Sequence, residues 1–297
     1  DRSKLEFDLE SQRQKQRSVP GYQLLGGETI PTGVEWDRLL GYQSWSKPVT
    51  NESLNTSLKY SYQINDNWSS NLSASQSRVV VDDYSAFAYT FDTDGNYDIY
   101  DFRSPDDSYL TNQFKTGLNG AFNTGAWQHS LSLELSHAYK RHTQYESTYS
   151  MVNVGAGNIY NDPITHTPND RDLGNHYKSL DSQQTALNVL DQIEFNDTWS
   201  VLLGGKLLHL NESAYAANGN SLRDTDFNRF LPQLALMYQP WQNTHLYASY
   251  AKGISDGSQA PWSAYGNPDK GIVGNAFETL APRRSTQYEL GLKQQWQ

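Results

Sequence analysis

Cysteine is missing altogether from the 297 residues. That excludes a disulfide framework and any thiolate metal site. Long hydrophobic runs are missing too. The richest apolar stretch, Val201-Leu202-Leu203, is broken by Gly204 and Gly205 and then by Lys206, so no segment approaches the roughly 18 apolar residues of a membrane-crossing helix. Positive charge is scarce: 23 Lys and Arg stand against 33 Asp and Glu, a formal net charge of -10. The cations are scattered singly, whereas nucleic-acid binding needs them clustered to neutralise phosphates, so a nucleic-acid partner is excluded. The opening residues Asp1-Arg2-Ser3-Lys4 carry no signal-peptide pattern. For an exported protein this implies a sequence that is mature or that starts part-way along.

Catalytic and metal motifs are equally sparse. The seven histidines (129, 137, 142, 166, 176, 209 and 245) form no H-E-x-x-H and no close pair. His137 and His142 are nearest, and an offset of five places them on opposite faces of a strand. Asp92, Asp94, Asn96 and Asp98 offer oxygens at alternate positions, but an EF-hand needs Gly at its sixth position and Glu at its twelfth. Tyr97 and Arg103 stand there. A polar turn is the default reading, with an adventitious calcium site as the alternative. Gly253-Ile254-Ser255-Asp256-Gly257 matches a nucleophile elbow in spelling alone. A poor helix start follows it and no histidine lies downstream, as that motif requires. Gly155-Ala156-Gly157 and Gly204-Gly205-Lys206 lack the remainder of a phosphate loop. No metal site and no catalytic residue are assigned.

Aromatic side chains are abundant, at 13% of the chain with 20 Tyr and 8 Trp, although mean hydropathy is negative. Period-two alternation recurs throughout. In the first run Leu5, Phe7 and Leu9 alternate with Lys4, Glu6, Asp8 and Glu10. Leu54, Thr56, Leu58, Tyr60 and Tyr62 share a face with Lys59 opposite. Leu131, Leu133 and Leu135 face away from Ser132, Glu134 and Ser136, and Tyr288, Leu290 and Leu292 from Gln287, Glu289 and Lys293. Two faces this different suit a wall between lipid and a wet interior, which also explains the low hydropathy. In the run 187–193 the apolar face includes Asp191, and a bulge is expected there to turn it inward.

The pattern predicts about ten strands, roughly 3–11, 53–63, 68–79, 109–122, 127–140, 182–194, 199–210, 227–238, 244–252 and 285–295, near the length a tilted strand needs to cross a bilayer. Their connections alternate strictly. The short ones, 65–67, 123–126, 196–198 and 239–242, hold the Asn, Asp, Gly and Pro that tight turns favour. The long ones cover about 12–52, 80–108, 141–181, 211–226 and 253–284. Short turns on one side and long loops on the other belong to an outer-membrane barrel, and unstructured loops this long are uncommon in compact soluble domains. Trp68, Trp127, Trp199 and Trp241 sit in or beside short turns, and Trp296 falls where the next would begin. This is the expected membrane-interface girdle, because the amphipathic indole prefers that level. The fold class expected is all-β, an antiparallel transmembrane up-and-down β-barrel in the bacterial outer membrane.

Several stretches resemble the barrel of TonB-dependent siderophore receptors. Tyr247-Ala248-Ser249-Tyr250-Ala251-Lys252-Gly253 is similar to the family's strand leading to an external loop. The segment from Leu280 through Pro282, Ser285, Tyr288, Glu289, Gly291 and Lys293 resembles the strand that descends from it. Gln192-Ile193, Trp199, Gly205 and Lys206 resemble a family hairpin, with Leu190 where Gln is usual and Lys206 where Arg is common. Pro20-Gly21-Tyr22-Gln23-Leu24-Leu25-Gly26-Gly27 resembles an early external loop. The resemblance implies a receptor that imports ferric siderophore, with a TonB complex as partner acting through an N-terminal region. It implies no enzyme activity and no cofactor, the iron being carried as a chelate. It also implies a plug domain and about 22 strands, so residues 1–297 are expected to form an internal part of the barrel domain, with plug and terminal strands outside it. Outer-membrane lipid and lipopolysaccharide are the expected surroundings.

Ligand contacts are expected from loop aromatics and one cation: Trp36, Tyr42, Trp45, Tyr84, Phe87, Tyr89, Tyr97, Tyr100, Arg103, Trp262 and Tyr265. Aromatic faces and guanidinium groups suit a bulky, often anionic chelate; packing of the loops against each other is the competing role. Rival functions are a passive porin-like channel, TonB-dependent import of cobalamin or haem, and a soluble all-β carbohydrate-binding or hydrolase domain using carboxylates such as Glu146 or Asp181. The last leaves the loop parity and tryptophan placement unexplained.

Overall fold

A computed structural model describes residues 2–18, 21–147, 151–255 and 282–295. Among them the chain forms eleven strands: β1 (Ser3–Gln16), β2 (Val49–Asn65), β3 (Trp68–Tyr89), β4 (Asn96–Thr124), β5 (Trp127–Tyr145), β6 (Met151–Asn158), β7 (His176–Glu194), β8 (Trp199–Tyr215), β9 (Ser221–Trp241), β10 (Thr244–Ser255) and β11 (Arg283–Gln294). Ten lie side by side in chain order, with β6 the exception, pairing with the upper part of β4. All pairings are antiparallel. The sheet is not closed within the described residues, where β1 and β11 are its edges.

Register explains the alternation. Phe7, Leu58, Ala74 and Phe114 form one continuous cross-strand row. The neighbouring row runs Asp8, Ser57, Ser75, Gln113 and Ala138, and Ser57 Oγ donates to Asp8 Oδ2 at 3.1 Å. The apolar face continues through Leu187, Leu207 and Phe230 to Leu246, Leu290 and Leu292. It is bare: Phe7 is 63% exposed and Leu290 85%. A contiguous apolar face of this extent in contact with water would be an aggregation site; in hydrocarbon it is the required surface.

Short turns are built by a repeated device. Asn65 Oδ1 accepts from the backbone N–H groups of Asn67 (2.9 Å) and Trp68 (3.0 Å). Asn196 Oδ1 does the same for Thr198 (2.9 Å) and Trp199 (3.0 Å). The side chain thus supplies the acceptor that a two-strand reversal leaves missing.

Three sequence expectations change. First, strands extend beyond their expected ends, and segments 80–108 and 211–226 are not loops but long hairpins, β3–β4 and β8–β9. Bilayer thickness sets only a minimum strand length; above it, Val79, Val80, Val81, Tyr84, Phe87 and Tyr89 keep pairing because β-branched and aromatic residues fit a pleated surface. Second, segment 141–181 contains β6, so there are eleven strands rather than ten. Third, no bulge occurs at Asp191: the β5–β7 register is unbroken from Gln128↔Glu194 to His142↔Leu180. Asp191 stays on the apolar face because His129 Nδ1 meets its Oδ2 at 2.8 Å, while His129 Nε2 lies 2.7 Å from Thr124 Oγ1. A bulge forms instead between β3 and β4 at Val81/Asp83. Asp106 takes a positive φ of 48° there, and its N–H donates to Asp82 Oδ1 at 2.9 Å.

At the long-connection end the chain folds into a small unit of its own. Leu25, Leu40, Ala86, Ala88, Phe91, Tyr97, Ile99 and Ile159 form a buried core there, with Tyr22, Val34, Trp45 and Val154 packed against it.

Candidate functional site

The upper β3–β4 hairpin has two faces, and they divide the sequence-predicted ligand residues. One face presents Tyr84, Ala86 and Ala88 opposite Arg103, Asp101 and Ile99. It is covered. Asp101 is fully buried and receives Arg103 Nε at 3.2 Å and Nη2 at 3.1 Å, the Asn169 N–H at 2.8 Å, and Arg171 Nη1 at 3.4 Å. Arg103 also donates to Tyr84 Oη at 2.8 Å and to the Asn169 carbonyl, and its guanidinium lies 4.4 Å from the Tyr84 ring centre. Trp45 stacks on the same tyrosine at 5.3 Å, and its Nε1 donates to His166 O at 2.9 Å. Tyr97, only 2% exposed, stacks on Phe91 at 5.3 Å. Trp45, Tyr84, Tyr97 and Arg103 therefore assemble and clamp the unit. A buried carboxylate survives only when paired and hydrogen-bonded in this way.

The opposite face continues the polar face of the sheet without interruption on β3, through Ser75, Ser77, Asp83 and Ser85 to Phe87 and Tyr89. Tyr100 and Asp98 are their cross-strand partners. Phe87 contacts Phe102 at 5.6 Å and Tyr89 at 6.1 Å, and Tyr89 contacts Tyr100 at 6.2 Å. These four rings form an aromatic ladder with Tyr89 openly exposed. Phe102 escaped the sequence reading. Its signal was the period of two from Tyr100, legible only once 96–108 is taken as strand rather than loop.

The remaining predicted contacts lie elsewhere. Trp36 is 65% exposed and edge-on to Tyr22 at 5.1 Å. Tyr42 is exposed beneath Arg17, whose guanidinium is 5.0 Å from its ring. Trp262 and Tyr265 lie outside the described residues, as do Asp256 and Gly257 of the elbow-like motif. Asp92 spends its carboxylate on its own turn, accepting from the N–H groups of Asp94 and Asn96 and from Asn96 Nδ2, which is the polar-turn reading. Asp181 is ion-paired with Lys178 at 2.5 Å. Among the described residues no group of three His, Asp or Glu could hold a metal ion.

At the other end, Trp68, Trp127 and Trp199 begin β3, β5 and β8, and Trp241 closes β9; Trp296 lies outside the described residues. Trp68 lies over Gly120, where any Cβ would overlap its ring, and stacks on Phe122 at 6.1 Å. Trp199 stacks on Tyr238 at 4.4 Å.

Residues 1–297 match the family model described as TonB dependent receptor-like, beta-barrel. The chain belongs to that family. It is 25% identical over 256 residues to the metal-pseudopaline receptor CntO of Pseudomonas aeruginosa, covering 82% of this chain and 33% of the relative. Among solved structures it resembles BauA, the ferric preacinetobactin receptor of Acinetobacter baumannii, with a TM-score of 0.72 at 18% identity over 99% of this chain and 42% of that one. It also resembles P. aeruginosa FpvA bound to a pyoverdine, with a TM-score of 0.73 at 15% identity over all of this chain and 38% of that one. The chain thus spans about a third of the curated relative it matches. TonB-dependent receptors are outer-membrane receptors and not enzymes, which removes the soluble hydrolase reading. In such a barrel the apolar face meets lipid, the polar face lines the interior, and the long connections face outward.

Proposed function

We propose that the protein containing this chain imports ferric siderophores across the outer membrane in a TonB-dependent manner. The aromatic ladder of Phe87, Tyr89, Tyr100 and Phe102 carries this reading: it lies on the interior-facing side of the wall, at the external end. A ferric chelate arriving from outside meets these rings first, and stacking on them recognises its flat or apolar parts. Iron enters as cargo already held by its chelator, so no protein metal ligands are needed. CntO, named as a receptor for metal-pseudopaline, favours a second reading in which the cargo is a chelate of another metal.

The test is direct binding of a panel of ferric siderophores, iron-free siderophores and other metal chelates to the detergent-solubilised full-length receptor. Saturable binding of one ferric chelate, weakened about tenfold or more in Phe87→Ala/Tyr89→Ala as expected for interface aromatics, supports the proposal. Binding confined to chelates of another metal selects the second reading. No binding, with ion conductance in planar bilayers, selects a passive channel.

A further inference from the structure

The charge around the aromatic ladder is of one sign. Between Arg78 and Arg103 the chain holds six aspartates (82, 83, 92, 94, 98 and 101) and no Lys, Arg or His. Of the six, only Asp101 is ion-paired among the described residues, with Arg103 and Arg171. Arg103, the one cation expected from the sequence to contact a chelate, is therefore spent on the opposite face of the hairpin, between Asp101 and the Tyr84 ring. On the ladder face the hairpin offers rings and carboxylate.

Asp98 is the carboxylate built into the ladder. It is the cross-strand partner of Tyr89, and its Oδ2 lies 3.4 Å from the Tyr100 hydroxyl. The Tyr89 and Tyr100 rings meet at 71° with their centres 6.2 Å apart, so they form two walls of a corner rather than a stack. A strained neighbour fixes the carboxylate. Thr90 has a φ of 58°, an outlier for a β-branched residue that persists only where surrounding contacts over-determine it. Here the Thr90 hydroxyl lies 2.6 Å from Asp98 Oδ2 and 2.6 Å from the Tyr89 carbonyl oxygen. Among the described residues Asp98 Oδ1 receives no hydrogen bond, and no Lys, Arg or His nitrogen lies within 4.0 Å of this carboxylate. Burial, and then the negative charge of Asp98, holds the Tyr100 hydroxyl above the usual tyrosine range, so the ring stays neutral beside it.

Aromatic faces beside an unpaired carboxylate are the chemistry that holds an organic cation. The ring quadrupole attracts the positive charge, and the carboxylate gives an ammonium or guanidinium a charge-assisted hydrogen bond. An anionic group in the same corner meets like charge, which the field of the neighbouring aspartates reinforces. We infer that Tyr89, Asp98 and Tyr100 form a subsite for a cationic group, an ammonium or guanidinium carried on the outside of the chelate. The cargo is then a ferric chelate that bears a positive group. This names the cargo class of the ladder and rests on the import reading.

The first arm of the test needs no siderophore. Saturation-transfer NMR follows the methyl protons of tetramethylammonium over the full-length receptor in detergent, with uncharged tert-butanol as the control of similar shape. Heat-modifiable migration in gels verifies that each variant barrel is folded. Saturable transfer to tetramethylammonium and not to tert-butanol is expected. It weakens about fivefold or more in Tyr89→Leu and in Asp98→Asn, which keeps an oxygen for Thr90, and is unchanged in Asp94→Asn. The second arm compares ferric chelates bearing a primary amine with the same chelates N-acetylated. Wild type is expected to bind the amine form about tenfold more tightly, and Asp98→Asn to bring the two forms within about twofold. Equal transfer to both probes, or transfer that neither Asp98→Asn nor Tyr89→Leu weakens, overturns the subsite. So does wild-type binding confined to chelates without a cationic group, or a preference for the amine form that Asp98→Asn retains in full. Binding of tetramethylammonium with no ferric chelate bound overturns the import reading and leaves the cation subsite standing.

Discussion

Asp101 is a carboxylate sealed from water and held by two arginines and a backbone N–H. Removing one partner of such a group costs roughly 3–5 kcal/mol, since the remaining charges stay buried without compensation. Asp101→Ala is therefore expected to loosen the unit around Ile99 and Ile159 while leaving the membrane-spanning strands intact. Hydrogen exchange on the full-length receptor checks this, with lost protection confined to that unit as the expected result. Asp83 behaves differently. Burial holds its carboxyl above the usual carboxylate range, against an opposing hydrogen bond from Ser85. A raised folded pKa means a contribution fully present below the unfolded value of about 3.9 and lost as pH rises through the folded value. That contribution is diminished at neutral pH, and Asp83→Asn is expected to make the upper hairpin more resistant to proteolysis at pH 7 but not near pH 3.5. A pH-independent difference would contradict the assignment. The sequence singles out Tyr84, Tyr97 and Arg103 as ligand contacts but neither Asp101 nor Asp83, and only cross-strand register shows which side of the hairpin each occupies.

At the scale of elements, the membrane-crossing parts of the strands were legible because lipid and a wet interior impose opposite demands on alternate residues. Leu5, Phe7 and Leu9 against Glu6, Asp8 and Glu10 is that contrast written out. Above the membrane both faces of a strand meet water or protein, the contrast fades, and β6 and the upper β3–β4 hairpin went unread. The short turns were legible from Asn65 and Asn196, whose side chains cap the reversals. Asn196→Ala removes two hydrogen bonds at that turn, and a loss of about 1 kcal/mol per bond is expected, read as a lower thermal midpoint in heat-modifiable migration. Gly120→Val tests the girdle. A side chain under the Trp68 ring forces it off the sheet, with an overpacking cost of about 1–3 kcal/mol and a matching fall in midpoint, whereas the same change at Gly125, with open space around it, is limited to strain from its positive φ of 66°.

At the scale of the molecule, the described residues place ten strands in chain order with two edges, a wall rather than a closed vessel. Unpaired edges in hydrocarbon cost several kcal/mol for each backbone group, so the proposed import requires a receptor in which those edges are paired. The family was legible in the sequence from Tyr247 to Gly253 and from Leu280 to Lys293, and the match over residues 1–297 establishes it. The cargo was not legible, because chelates differ in charge and shape rather than in any backbone motif, and the rings proposed to face them are generic in kind. The most direct test of the import account is uptake of radiolabelled iron, presented as a panel of ferric siderophores, by cells expressing the full-length receptor with and without a functional TonB. The account predicts saturable uptake of one ferric siderophore that disappears without TonB and is reduced in Phe87→Ala/Tyr89→Ala. Uptake that persists without TonB and rises linearly with concentration, or no uptake of any ferric siderophore, would contradict it.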